Sequence, residues 1–261
     1  MSLLEDNSTP ADIMLKAIAE KPYAQFRQGY TWHIANLTAF DSATGYFAIG
    51  RTTPTSIPKL DQETGDFVDT EDDTSPYTYV VYDAGIGLMA IQRESELVGV
   101  TEEIATKIQR LLNNTQAVRS RDMDVRIQAI PDPTDFIAKI ENAYAIKKFT
   151  ATFTGPNPID ADELFQKPLS VYLKATNGTE GAATVESTHL NSEVVSAVAR
   201  STAATGNSAS ARIQEVKGKR AIKINLGGDP VKLPYEADEV DPKVVLEDAQ
   251  AAYQKVRHEG S

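Results

Sequence analysis

The sequence predicts a mixed α+β fold, mostly antiparallel β-hairpins packed with helices. Three observations carry that expectation. Runs rich in β-branched and aromatic residues come in pairs joined by turn chemistry. Segments with apolar residues at helical spacing separate the pairs. A basic hairpin near the C-terminus is followed by one last helical stretch. Paired strands with helices between the pairs favour antiparallel sheets.

Thr9-Pro10-Ala11-Asp12 opens the first helix, with Thr9 as cap, Pro10 at the first helical position and Asp12 returning a bond. Residues 30–40 and 44–51 read as a hairpin, with Asp41-Ser42-Ala43-Thr44-Gly45 as its turn chemistry. Residues 52–75 are acidic and hold Pro54 and Pro58, so a long loop is expected. Residues 77–82 form the most strand-like run, and residues 86–92 return beside it. Thr101 is placed to cap a helix with Ile104, Ile108, Leu111 and Leu112 on one face. Residues 122–130 alternate like a strand. A short helix after Pro133 presents Phe136, Ile137 and Ile140, and residues 146–154 form a strand broken by Gly155-Pro156. A helical stretch over 160–175 is expected to be interrupted at Pro168, a short strand at 184–188, and a small-residue helix at 192–203. Residues 208–216 and 219–226 form a hairpin over Lys217-Gly218. Asp241-Pro242 then starts a helix with Val245, Ala249, Ala252 and Val256 on one face. The expected division is an N-terminal α+β unit over 1–155, with the acidic loop 52–75, and a C-terminal helical and hairpin unit over 156–261. One integrated unit is the alternative, and 118–122 is a second candidate boundary.

Composition excludes several classes. Hydrophobic content of 41% and charged content of 24% are ordinary for a folded chain. No cysteine is present, which removes disulfides, thiolate nucleophiles and cysteine-based metal centres. No apolar run approaches the roughly 18 residues of a membrane span, and Met1-Ser2-Leu3-Leu4-Glu5-Asp6 lacks the pattern of a secretory signal, so a cytoplasmic protein is expected. His33, His189 and His258 share no metal-ligand spacing. The phosphate-cradling glycine loops and the Gly-x-Ser-x-Gly elbow are missing. No cofactor and no metal ion is expected.

A net charge of −11 spread evenly would repel nucleic acid. The charge is not even. Residues 59–75 hold seven acids against Lys59, a local −6, while residues 212–223 hold five basic residues against Glu215, a local +4. In the basic hairpin, strand alternation puts Arg212, Lys219 and Lys223 on the solvent side, with Lys217 at the turn. Arg119, Arg121 and Arg126 form a second basic group. No aromatic residues interleave, so the pattern points to phosphate contact without base stacking. The plainer reading is lysines guarding a sheet edge. Asp122 and Asp124, flanking one strand residue and so on one face, keep a metal-dependent nuclease open as an alternative, as does Glu215-Val216-Lys217; the pair Asp160 and Asp162 instead suits a helix start. A protein-interaction scaffold is the other alternative.

The order of elements resembles the RexA-like phage-exclusion family and related anti-phage defence proteins. The likeness rests on four places: the acidic stretch through Asp72-Asp73-Thr74-Ser75-Pro76-Tyr77; Tyr82-Asp83-Ala84-Gly85-Ile86-Gly87-Leu88-Met89-Ala90; Ile127-Gln128-Ala129-Ile130-Pro131 followed by Lys147-Lys148-Phe149-Thr150-Ala151-Thr152; and the basic hairpin before a terminal helix. The resemblance implies a homodimer, or homo-oligomer, that binds double-stranded DNA with little sequence preference. It implies a non-enzymatic role in phage exclusion beside a partner effector protein.

Overall fold

The computed structural model describes residues 8–121, 123–154, 162–236 and 240–258, with backbone alone at 54–57 and 69–74. Every strand pairing among the described residues is antiparallel, and helices lie between the strand groups, so the fold is α+β. No helix among the described residues is long and apolar enough to cross a membrane. The chain divides into two units: Met1–Ile127 with Asp241–Leu246, and Gln128–Val240 with Glu247–Ser261. The division falls before the expected 155/156, because the strand at 145–154 is hydrogen-bonded within the second unit's sheet. Residues 155–158 themselves, with Asp122 and Asp160, lie outside the described residues.

In the first unit, α1 (Pro10–Ala19) starts with the expected capping box: Asp12 N–H donates to Thr9 Oγ1 at 3.2 Å, and Thr9 N–H to Asp12 Oδ2 at 2.8 Å. β1 (Tyr23–Arg27) was not anticipated; it pairs with β2 (Tyr30–Ala39) over a short turn. β3 (Thr44–Leu60) is paired first with β5 (Tyr77–Asp83), which continues to β6 (Leu88–Ile91). α2 (Thr101–Asn113) follows, with Ile104, Ile108, Leu111 and Leu112 all fully buried as the spacing requires. Thr101 is the first helical residue and not the cap, since Val100 precedes it in extended conformation. α3 (Gln116–Arg119) is held by Glu20, whose carboxylate accepts the N–H groups of Gln116 at 2.8 Å and Ala117 at 2.7 Å. The core joins α1 and α2 to the inner face of the sheet through Ile18, Trp32, Ile34, Phe47, Ile49 and Val80. Each such side chain contributes about 1.5–3 kcal/mol by leaving water.

The expected loop at 52–75 is instead a two-stranded ribbon. β3 runs on past its last partner in β2, Thr52↔Thr31, and pairs with β4 (Phe67–Thr74) from Thr53↔Thr74 to Leu60↔Phe67. The register is continuous with β3–β5, so β4 and β5 act as one strand interrupted at Ser75-Pro76. The prolines that suggested a loop are tolerated for a geometric reason. Arg51 N–H points to the β4/β5 side, donating to Pro76 O at 3.1 Å. Strand alternation then turns the nitrogens of Pro54 and Pro58 to the opposite, free edge, where no ladder bond is lost.

The alternating segment after residue 122 is likewise not a strand. Side chains of α2 replace a partner strand: Val125 N–H donates to Asn113 Oδ1 at 2.7 Å, Asn113 Nδ2 donates to Val125 O at 2.9 Å, and Ile127 N–H donates to Gln109 Oε1 at 2.8 Å. Asn113→Leu removes both bonds to Val125. We expect at least ten-fold faster hydrogen exchange at the Val125 amide with little change in β2, and equal protection in the variant would show that the amide side chain is not the anchor.

The second unit holds α4 (Thr134–Glu141), β7 (Ala145–Thr154), α5 (Gln166–Ala175), β8 (Glu180–Glu186), α6 (Ser192–Ala204), β9 (Ala209–Gln214), β10 (Ile222–Asn225) and most of α7 (Pro242–Arg257). Pro168 does not interrupt α5; it sits in the first turn, where its missing N–H has no helical partner to lose. The sheet order is β10-β9-β7-β8. α5 packs on β7, and α6 packs on β7 and β9, burying Phe149, Ala151, Phe153, Ala211 and Ile213. On α7, Ala249 and Val256 are buried as part of the expected stripe, together with Leu246 and Tyr253, while Val245 and Ala252 are only half-buried.

Candidate nucleic-acid interface

Alternation along β7, β9 and β10 sends apolar residues towards α5 and α6 and polar residues to the other face of the sheet. Register then lines the polar residues up across strands. Lys223 lies opposite Arg212, and Arg212 opposite Lys148, with Glu186 next on β8. The following row reads Asn225, Ser210, Thr150 and Thr184. Neighbouring strands are about 4.8 Å apart, so the three cations span about 10 Å of sheet.

The ends of the row differ. Lys148 Nζ is bound to Glu186 Oε1 at 2.6 Å, which holds the Glu186 carboxyl below its ordinary range; the hydrogen bond and charge of Lys148 lead, and the charge of Arg212 adds to them. Among the described residues, Arg212 and Lys223 form no ion pair, nor do Lys217, Lys219 and Arg220 in the exposed turn. That turn has Gly218 at φ +81° and is tied by Gln214 Nε2 donating to Lys219 O at 2.8 Å. Lys219 therefore belongs to the turn and not to the strand alternation expected of it.

Beside the cation row, Thr150, Thr152, Ser208, Ser210, Lys223 and Asn225 line a shallow depression of about 250 Å³. Its hydroxyls are partly linked to one another, Thr150 Oγ1 to Thr184 Oγ1 at 2.9 Å and Thr152 Oγ1 to Ser208 Oγ at 3.2 Å. Hydroxyls and ammonium groups on one face can donate to phosphodiester oxygens. A larger depression of about 550 Å³ lies between α1 and α3, and its two charged groups nearest α3, Glu20 and Arg121, are committed. Glu20 caps α3, and Arg121 Nη1 donates to Ala117 O at 2.8 Å.

The second basic group belongs to the other unit. Arg119, Arg121 and Arg126 belong to the first unit, and each guanidinium is bound locally. Arg119 Nη2 donates to Asn114 Oδ1 at 2.6 Å, and Arg126 Nε pairs with Asp124 Oδ2 at 3.2 Å. The structure adds Lys148, which sequence reading passed over; its signal was the alternation of Lys148, Thr150 and Thr152 with Phe149, Ala151 and Phe153. Of the acids considered for a nuclease, Asp122 lies outside the described residues, Asp124 is ion-paired with Arg126, and Glu215-Val216-Lys217 lies in the turn after β9. Among the described residues, no three His, Asp or Glu side chains converge where a metal ion could sit. His33 stacks on Tyr23 at 5.9 Å and bonds Thr52 Oγ1 at 3.2 Å. No protein-family model, no curated protein and no solved structure matches the chain.

Proposed function

We propose that the polar face of the second sheet binds the phosphate backbone of double-stranded DNA without sequence preference. In this reading the protein is a non-enzymatic, homo-oligomeric component of an anti-phage system of the phage-exclusion type, acting beside a partner effector. The observation that carries the binding half is the cross-strand row Lys223, Arg212 and Lys148, flanked by hydroxyls. Point charges and hydroxyls suit backbone contact, and among the described residues no aromatic ring lines the depression to stack a base. The defence role rests on the family resemblance alone.

The test is a salt titration of the protein against a short duplex. Arg212→Glu with Lys223→Glu should weaken binding about ten- to hundred-fold at about 50 mM salt and lower the log–log salt slope by about 2. Equal losses on unrelated sequences are expected. No binding of the parent protein at low salt rejects the reading, as does a double variant that binds like the parent.

A further inference from the structure

Among the described residues, the ribbon formed by the distal half of β3 and by β4 pairs only with itself beyond Thr52. Two-stranded ribbons are marginally stable alone in water. This one is closed by an ordered turn: Asp61 Oδ1 accepts the N–H of Glu63 at 2.8 Å and of Thr64 at 3.2 Å, and Asp61 N–H donates to Asp66 O at 2.9 Å. At its end, Leu60 and Phe67 stand opposite each other in register and are 54% and 80% exposed. The ribbon thus ends in an apolar pair within a segment of net charge −6. The β9–β10 turn has the inverse character. Val216 and Ile222 are 58% and 44% exposed among Lys217, Lys219, Arg220 and Lys223, in a segment of net charge +4.

We propose that the ribbon of one copy docks on the β9–β10 hairpin of a second copy. Each surface carries exposed apolar side chains within a segment whose net charge has one sign, and the two signs are opposite. Every copy carries both halves, so the contact can be exchanged reciprocally and close a dimer. The free edge of β3 presents the nitrogens of Pro54 and Pro58, which cannot donate, so docking proceeds through side chains and not by strand addition along that edge. At physiological salt the Debye length is about 8 Å, which screens the mutual repulsion of two chains of charge −11 while leaving contacts of a few ångströms largely intact.

Sedimentation equilibrium without nucleic acid tests the contact independently of DNA binding. Dimerisation at about 0.15 M salt should weaken about ten-fold at about 1 M, where the Debye length is about 3 Å. The set Asp69→Lys, Glu71→Lys and Asp73→Lys should abolish it, as should Lys217→Glu, Lys219→Glu and Arg220→Glu. A chain carrying both sets should dimerise again, an outcome that misfolding cannot produce. The absence of cysteine allows a second measurement. Thr64→Cys chains mixed with Lys217→Cys chains should form a disulfide-linked heterodimer that neither forms alone. A monomer at all concentrations, a dimer that neither charge reversal disturbs, or a Thr64→Cys/Lys217→Cys chain that closes only on itself overturns the proposal.

Discussion

Asp162→Ala is expected to destabilise the C-terminal unit by about 2–4 kcal/mol, lowering its melting midpoint by about 10 °C. The Asp162 carboxylate accepts the N–H groups of Leu164 at 3.0 Å, Phe165 at 2.6 Å and Gln166 at 3.2 Å, which opens α5. It also accepts the hydroxyl of Ser201 on α6, and Ser201 Oγ in turn accepts from Arg257 Nη1 on α7 at 3.2 Å. One carboxylate thereby links three helices. Burial raises the Asp162 pKa, but the hydrogen bonds from Ser201, Phe165 and Gln166 and the charge of Arg257 outweigh it and hold the group below its ordinary value. With the folded pKa below the unfolded one, the stabilisation is complete above about pH 4 and is lost as pH falls through the folded value. Wild type should therefore lose more stability than Asp162→Asn on acidification. Equal losses would show that the charge contributes nothing.

Gly45→Ala should cost the N-terminal unit about 3 kcal/mol in denaturant unfolding. A Cβ there would overlap the carbonyl oxygen of Thr38 and lie 2.8 Å from the Tyr82 hydroxyl and 3.1 Å from Ala39 Cα. The nearest obstacle is the backbone of the paired strand, which cannot swing aside as a side chain can. Gly99→Ala meets open space at an ordinary φ and should change stability by no more than about 0.5 kcal/mol. A Gly45→Ala variant as stable as Gly99→Ala would mean that β2 and β3 separate freely at that point.

The two glycines differ in a way that only neighbours across a sheet reveal, and the same divide separates what was legible in the sequence from what was not. α1, α2, α4 and the β9–β10 hairpin follow from local signals: caps, spacing and turns. The ribbon did not, because two prolines and a run of acids argue for a loop until pairing shows that the proline nitrogens face the free edge. The segment after residue 122 alternates like a strand, yet its backbone is satisfied by the side chains of Asn113 and Gln109, a non-local solution that periodicity does not encode. At the candidate site, Arg212 and Lys223 were legible from hairpin register. Lys148 was not, because its place beside Arg212 depends on β7 pairing with β9 across some sixty residues of chain.

β3 has a mechanical consequence. Its 17 residues form one covalent track of about 56 Å that begins at the sheet, beside Phe47 and Ile49, and ends at the ribbon's tip. Its partner on the β4/β5 side is jointed at Ser75-Pro76, but β3 has no joint of its own. A slip of one residue anywhere along it would exchange the two faces of the strand and expel both side chains from the core. The tip is therefore a handle on the hydrophobic centre of the unit, and load or clamping applied there is transmitted to the packing beneath the sheet.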